Sequence, residues 1–115
     1  MPVRTYQERN AFLVCLEDRV TMEDNLKFGR TMKEAIADQW GTILVLVNAK
    51  VINSYCLGTV FASFREARDR GKSLRVVCDQ PYSLSSIGHF DPKGILPVYK
   101  SVDEAFAGDS SEETK

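Results

Sequence analysis

Side chains able to act as nucleophile, general base or metal ligand are sparse in this chain: three cysteines, Cys15, Cys56 and Cys78, and a single histidine, His89. A zinc site needs Cys and His in close pairs, and a disulfide framework needs an even number of half-cystines. Here the thiols are odd in number, far apart and set in apolar segments, so they are expected as buried free thiols in a reducing cytoplasm. His89 has Asp91 beside it but no serine or cysteine motif that marks a nucleophile, and is expected on a surface loop. One hydroxyl stands out by position. Ser54 lies where a strongly apolar strand gives way to a helix, a place where backbone N–H groups lack partners and an anion is favoured. The plain alternative is that Asn53 or Ser54 only caps that helix.

Composition narrows the classes of function. Fifteen basic against sixteen acidic side chains leave a net charge of -1, which argues against a general nucleic-acid binder. With 43% apolar and 27% charged residues the chain is ordinarily globular, and 115 residues suit one domain, expected over residues 1–107. The acidic, polar stretch from Gly108 to Lys115 is expected as a flexible tail. No run of 18 apolar residues occurs and Met1 to Asn10 is polar, so neither a membrane span nor a secretory signal is expected, and the location implied is cytoplasmic. No Gly-x-Gly-x-x-Gly or Walker pattern is present; no cofactor and no metal are expected.

The elements that position Ser54 follow from periodicity. Val3, Thr5 and Gln7 alternate as an edge strand, Glu8-Arg9-Asn10 turns, and Ala11 to Leu16 forms a second, more apolar strand, giving an N-terminal hairpin. Thr21 and Asp24 form a helix-start pair, and Met22, Leu26, Gly29, Met32, Ile36 and Trp40 predict one apolar helix face, ended by Gly41. Thr42 to Val47 is continuously apolar after its first residue, as a central strand covered on both faces would be. A loop over Asn48 to Asn53 leads to a second helix carrying Leu57, Val60, Phe61, Phe64 and Ala67, stopped by Gly71. Ser73 to Cys78 predicts a strand, Pro81 to Gly88 a short helix, and Ile95 to Tyr99 an edge strand weakened by Pro97. Ser101-Val102-Asp103-Glu104 predicts a capping box for a last helix that fades near Ala107. The order is β-β-α-β-α-β-α-β-α, a small α/β fold with a mixed, mostly parallel sheet, an N-terminal hairpin and about four helices.

The run Ile43-Leu44-Val45-Leu46-Val47, followed by Val51-Ile52-Asn53-Ser54-Tyr55-Cys56-Leu57-Gly58, resembles the STAS domain of bacterial anti-sigma-factor antagonists. In that family a hydrophobic strand is followed by an Asp-Ser-x-Gly-Leu-Gly turn into the second helix. The similarity continues through Phe64 to Gly71, Leu74 to Cys78, Gly94 to Tyr99 and Ser101 to Ala105, so it covers about Ala11 to Phe106. Three departures are visible. Asn53 replaces the acid before the serine, Cys56 replaces a glycine, and Glu17-Asp18-Arg19-Val20 stands where the family has Gly-Glu-Leu-Asp.

The resemblance implies a regulatory protein that is not an enzyme. Its partners would be a serine kinase that is also an anti-sigma factor, and a serine phosphatase that resets the switch. Unphosphorylated protein would bind the kinase; phosphorylation of Ser54 would end the binding. The partner surface implied is Arg19, Asn53, Ser54, Tyr55 and Thr59, with no nucleic acid or membrane involved and a monomer or weak dimer as the state. Two other readings compete. One is a STAS scaffold or sensor subunit that assembles with like domains and is never phosphorylated. The other is a small flavodoxin-like or thioredoxin-like enzyme with Cys56 as nucleophile, its thiol acidified at a helix N-terminus.

Overall fold

The computed structural model describes residues 3–17, 20–49 and 52–113. Strand β1 (Val3–Glu8) and strand β2 (Ala11–Leu16) form the hairpin. They are antiparallel, with Glu8 opposite Ala11 across a two-residue turn. Arg9 and Asn10 both take positive φ, 50° and 62°, the geometry that matches the twist of the flanking strands. Glu8 therefore belongs to the strand, not to the turn. Arg9 also ties the hairpin to the far end of the chain, with its guanidinium 2.8 Å from Asp103 and over the Phe106 ring.

Helix α1 (Met22–Ala37), strand β3 (Thr42–Val47), helix α2 (Ser54–Asp69), strand β4 (Ser73–Val77), helix α3 (Pro81–Phe90), strand β5 (Val98–Tyr99) and helix α4 (Val102–Glu113) follow in order. The sheet order is β1-β2-β3-β4-β5, antiparallel at the hairpin and parallel elsewhere. Neighbours in sequence are thus neighbours in space. Right-handed crossovers between them must then carry α1, α2 and α3 over one face of the sheet.

The core follows that asymmetry. Ile43, Val45 and Val47 of β3 face a large cluster with Phe28, Met32 and Ile36 of α1, Leu57 and Val60 of α2, and Ile87 of α3. Leu44 and Leu46 point the other way, to a smaller cluster closed by Ala105 of α4. The unbroken apolar run in β3 is explained by this two-sided cover.

Several boundaries move, each for a local reason. The start of α1 is a complete capping box: Thr21 Oγ1 accepts from the Asp24 amide at 3.2 Å, and the Thr21 amide donates to Asp24 Oδ2 at 3.0 Å. Those bonds hold the Asp24 carboxyl below its usual range. The buried face of α1 is Phe28, Met32, Ala35 and Ile36, while Met22 and Leu26 are exposed. Ala37 is the last helical residue, with Asp38 capping it, so Gly41 does not end the helix. Trp40 lies beyond it and packs on Phe12.

At the end of α2 the expected glycine stop is present. Gly71 has φ +73°, its amide donates to Arg68 O, and the Lys72 amide donates to Ala67 O, the paired bonds of a Schellman motif. Helix α3 continues through Gly88 to Phe90, which places His89 in its last turn and not in a loop. Strand β5 shrinks to two residues because Pro97 has no N–H and the amides of Ile95 and Leu96 are spent on the Asp91 carboxylate. Ser101 Oγ caps α4 by accepting from the Glu104 amide. The helix then runs beyond Ala107 to Glu113, since a helix once nucleated can add turns without an apolar face.

Candidate functional site

The segment from β3 to α2 is fastened at both ends. After β3, the Asn48 amide donates to Leu16 O at 2.8 Å, and Ala49 O accepts from the buried Ser83 hydroxyl at 2.8 Å. Before α2, Ile52 is buried in the main core and Asn53 Nδ2 donates to Val20 O at 3.2 Å. These bonds draw the segments after β2 and β3 together under the N-terminus of α2.

Asn53 is the N-cap. Its backbone is extended, its Oδ1 accepts from the Cys56 amide at 2.8 Å, and its carbonyl accepts from the Leu57 amide. Ser54 is consequently the first residue of the helix and exposed, so the capping duty falls on its neighbour and leaves its hydroxyl at the surface. Replacing Asn53 by alanine removes the cap and the tie to Val20. The expected loss is about 1 kcal/mol, read as a lower urea midpoint at unchanged slope. An unchanged midpoint would mean that the cap holds nothing.

Tyr55 follows, 64% exposed. The Thr59 hydroxyl, one turn on, lies 3.1 Å from Tyr55 O and 3.3 Å from Asn25 Oδ1, so it sits at the seam with α1. Gly29 faces the same seam, where a Cβ would lie 3.8 Å from Thr59 Cγ2, an ordinary packing distance. Met22 and Leu26, on the same half of α1 as Asn25, are 54% and 66% exposed. Asn53, Ser54, Tyr55 and Thr59 thus lie at the cap and first turns of α2, and Met22 and Leu26, which periodicity placed on the apolar face of α1, are exposed. Arg19 lies outside the described residues. On the other side, Ser54 borders a cavity of about 410 Å³ lined also by Ile52, Leu57, Ser86, His89 and Phe90.

Cys56 is not placed to act as a nucleophile. Although only two residues into the helix, it is fully buried, and burial pushes its thiol up to about 12. Burial also raises Cys15 and Cys78, and all three are free. The native protein should therefore resist Ellman's reagent at pH 8 and release thiolate only on unfolding. Because the folded state raises these values, thiol linkage stabilises the fold most below pH 8.5 and loses that contribution as pH climbs towards 12. Rapid native labelling would contradict this burial. Among the described residues no cluster of three or more His, Cys, Asp or Glu side chains could hold a metal ion. Nor is any helix there long and apolar enough to cross a membrane.

Comparison with known proteins agrees on architecture. No protein-family model matches the sequence. No curated protein matches it either. Solved structures do. An anti-sigma factor antagonist from Mycobacterium paratuberculosis superposes with a TM-score of 0.81 at 14% identity, over 92% of this chain and 91% of that one. The Thermotoga maritima protein TM1081 gives 0.82 at 12% identity, over 92% of each chain. The Bacillus cell fate determinant SpoIIAA, in its phosphorylated form, gives 0.70 at 14% identity, over 91% and 96%. What this chain shares with them is the fold: it has the mixed α/β fold of a STAS domain.

Proposed function

We propose that this chain is an anti-sigma-factor antagonist, a regulatory binding protein and not an enzyme. It binds a serine kinase that doubles as an anti-sigma factor, and phosphorylation of Ser54 breaks the complex. The observation that carries the reading is the placing of Ser54: exposed, first in α2, beside a separate capping residue. The fold supports it, since SpoIIAA, which shares that fold, has been solved in unphosphorylated and phosphorylated forms.

The physics of the switch is simple. The kinase would move the γ-phosphoryl group of ATP onto Ser54 Oγ, with ADP leaving and the hydroxyl proton lost. The product carries about -1.5 to -2 charges and three strong acceptors. At a helix N-terminus that charge is favourable by roughly 0.3–1 kcal/mol, so the fold tolerates it. A partner packed on Tyr55, Thr59, Met22 and Leu26 meets a hydrated dianion in the middle of its contact. The complex breaks although the domain does not. A serine phosphatase would hydrolyse the ester and restore binding.

The test is to incubate the protein with ATP and the serine kinase encoded nearest to it, then locate added phosphate by mass spectrometry. Phosphate confined to Ser54 is the expected result. Its absence there would end this reading.

A further inference from the structure

We propose that His89 is the residue that holds a phosphate on Ser54, an inference that rests on the phosphorylation proposed above and names the group that pairs with it. Ser54 and His89 come from different elements, the first turn of α2 and the last turn of α3, yet they line one cavity. The cavity is partly apolar, with Ile52, Leu57 and Phe90 in its walls. It is a wide depression open to water, and Ser54 and His89 are both exposed at it.

The ring is already oriented. His89 Nδ1 lies 2.8 Å from Ser85 O. A carbonyl only accepts, so Nδ1 carries a proton and Nε2 is the nitrogen left to meet a ligand. Phe90, next in the chain, packs against Phe61 with the rings tilted by 42° and their centroids 5.4 Å apart, which ties the end of α3 to α2.

Among the described residues, α2 and α3 bring few other charges to the pair. Helix α3 carries no charged residue besides His89, and α2 carries none before Arg65. The other titratable groups of these stretches are Tyr55 and Cys56 on α2 and Tyr82 on α3. The Asp91 carboxylate, the nearest acid in sequence, is turned to the amides of Ile95 and Leu96 at 3.1 and 2.8 Å. Lys93 follows it in the chain, and Lys50, in the segment before α2, lies outside the described residues.

A phosphoserine loses its second proton at about pH 6, close to where an ordinary imidazole gains one. Each therefore favours the charged form of the other, and near neutral pH the pair forms a charge-assisted hydrogen bond across the cavity. The phosphate becomes a bridge between α2 and α3.

The chain has only one histidine, so its ring proton resonances identify themselves. Phosphoserine is installed at position 54 by amber suppression, which needs no kinase, and the ring is titrated by proton NMR beside unmodified protein and Ser54→Ala. The titration midpoint of His89 is expected to rise by about half a pH unit or more on phosphorylation. The phosphorus midpoint should in turn lie lower than in a phosphorylated His89→Gln variant. If the kinase ignores Ser54 but the midpoints move, the functional reading fails and the pairing stands. Midpoints that agree within about 0.1 unit between the phosphorylated and unmodified protein would overturn the pairing itself.

Discussion

Ser54→Glu weakens binding of the kinase partner at least tenfold, about 1.4 kcal/mol, while Ser54→Ala binds as the unmodified protein does and cannot be released by ATP. Glutamate carries one charge where phosphate carries nearly two, so it should reproduce part of the release. The same substitution should leave the unfolding temperature almost unchanged, because an acid at the first position of a helix is favourable. That pairing of outcomes separates an interface effect from a folding effect. It depends on Asn53 keeping the cap: with Oδ1 on the Cys56 amide at 2.8 Å, the helix start survives whatever stands at position 54. Calorimetric titration of the two variants against the kinase reads the first outcome, and thermal unfolding the second. Equal affinities would place the partner elsewhere on the molecule.

The second large effect is on stability. Phe28→Ala should cost about 3–5 kcal/mol, a large share of the ~5–15 kcal/mol that a domain of this kind has. Phe28 is fully buried between α1 and the sheet, in the cluster that also holds Met32, Ile36 and the inward side chains of β3. Leu26→Ala, two residues earlier and 66% exposed, should change stability by no more than about 0.5 kcal/mol yet weaken partner binding. Urea unfolding of both variants checks the first part of this, and the reverse ranking would mean that the wrong face of α1 had been assigned to the core.

That helix shows where the sequence was ambiguous. Residues at three- and four-step spacing lie on one face, but Met22, Leu26, Gly29, Met32 and Ile36 satisfy the spacing as well as Phe28, Met32, Ala35 and Ile36 do. The two arcs differ by roughly one residue's rotation, and only the sheet decides between them. Strands were more legible. β2 and β3 match their expected ends because an unbroken apolar run bounded by polar residues admits few alternatives. The capping signals were equally readable at Thr21 and Gly71, where chemistry is local. Arg75, a cation only 1% exposed in β4, was not foreseen, because charge alone does not reveal which face of a central strand is covered.

The candidate site divides in the same manner. Ser54 at the start of a helix could be read from an apolar strand followed by Asn-Ser. Its freedom from capping could not, since either residue could have served as the cap. The nearness of His89 was also hidden: it sits thirty-odd positions away, and its place depends on α3 continuing through Gly88 to bring the ring beside α2. Cys56 misled in the opposite direction. A thiol near a helix N-terminus suggests acidity, but the helix turns it into the core, where desolvation outweighs the dipole.

One exposed hydroxyl at the head of α2 is proposed to control docking. The most direct measurement compares, by calorimetry under identical salt and pH, the affinity of the same kinase for the unmodified protein and for protein carrying phosphate only on Ser54. Tight binding of the first and at least a tenfold loss in the second is the predicted result. Equal affinity of the two forms would contradict it.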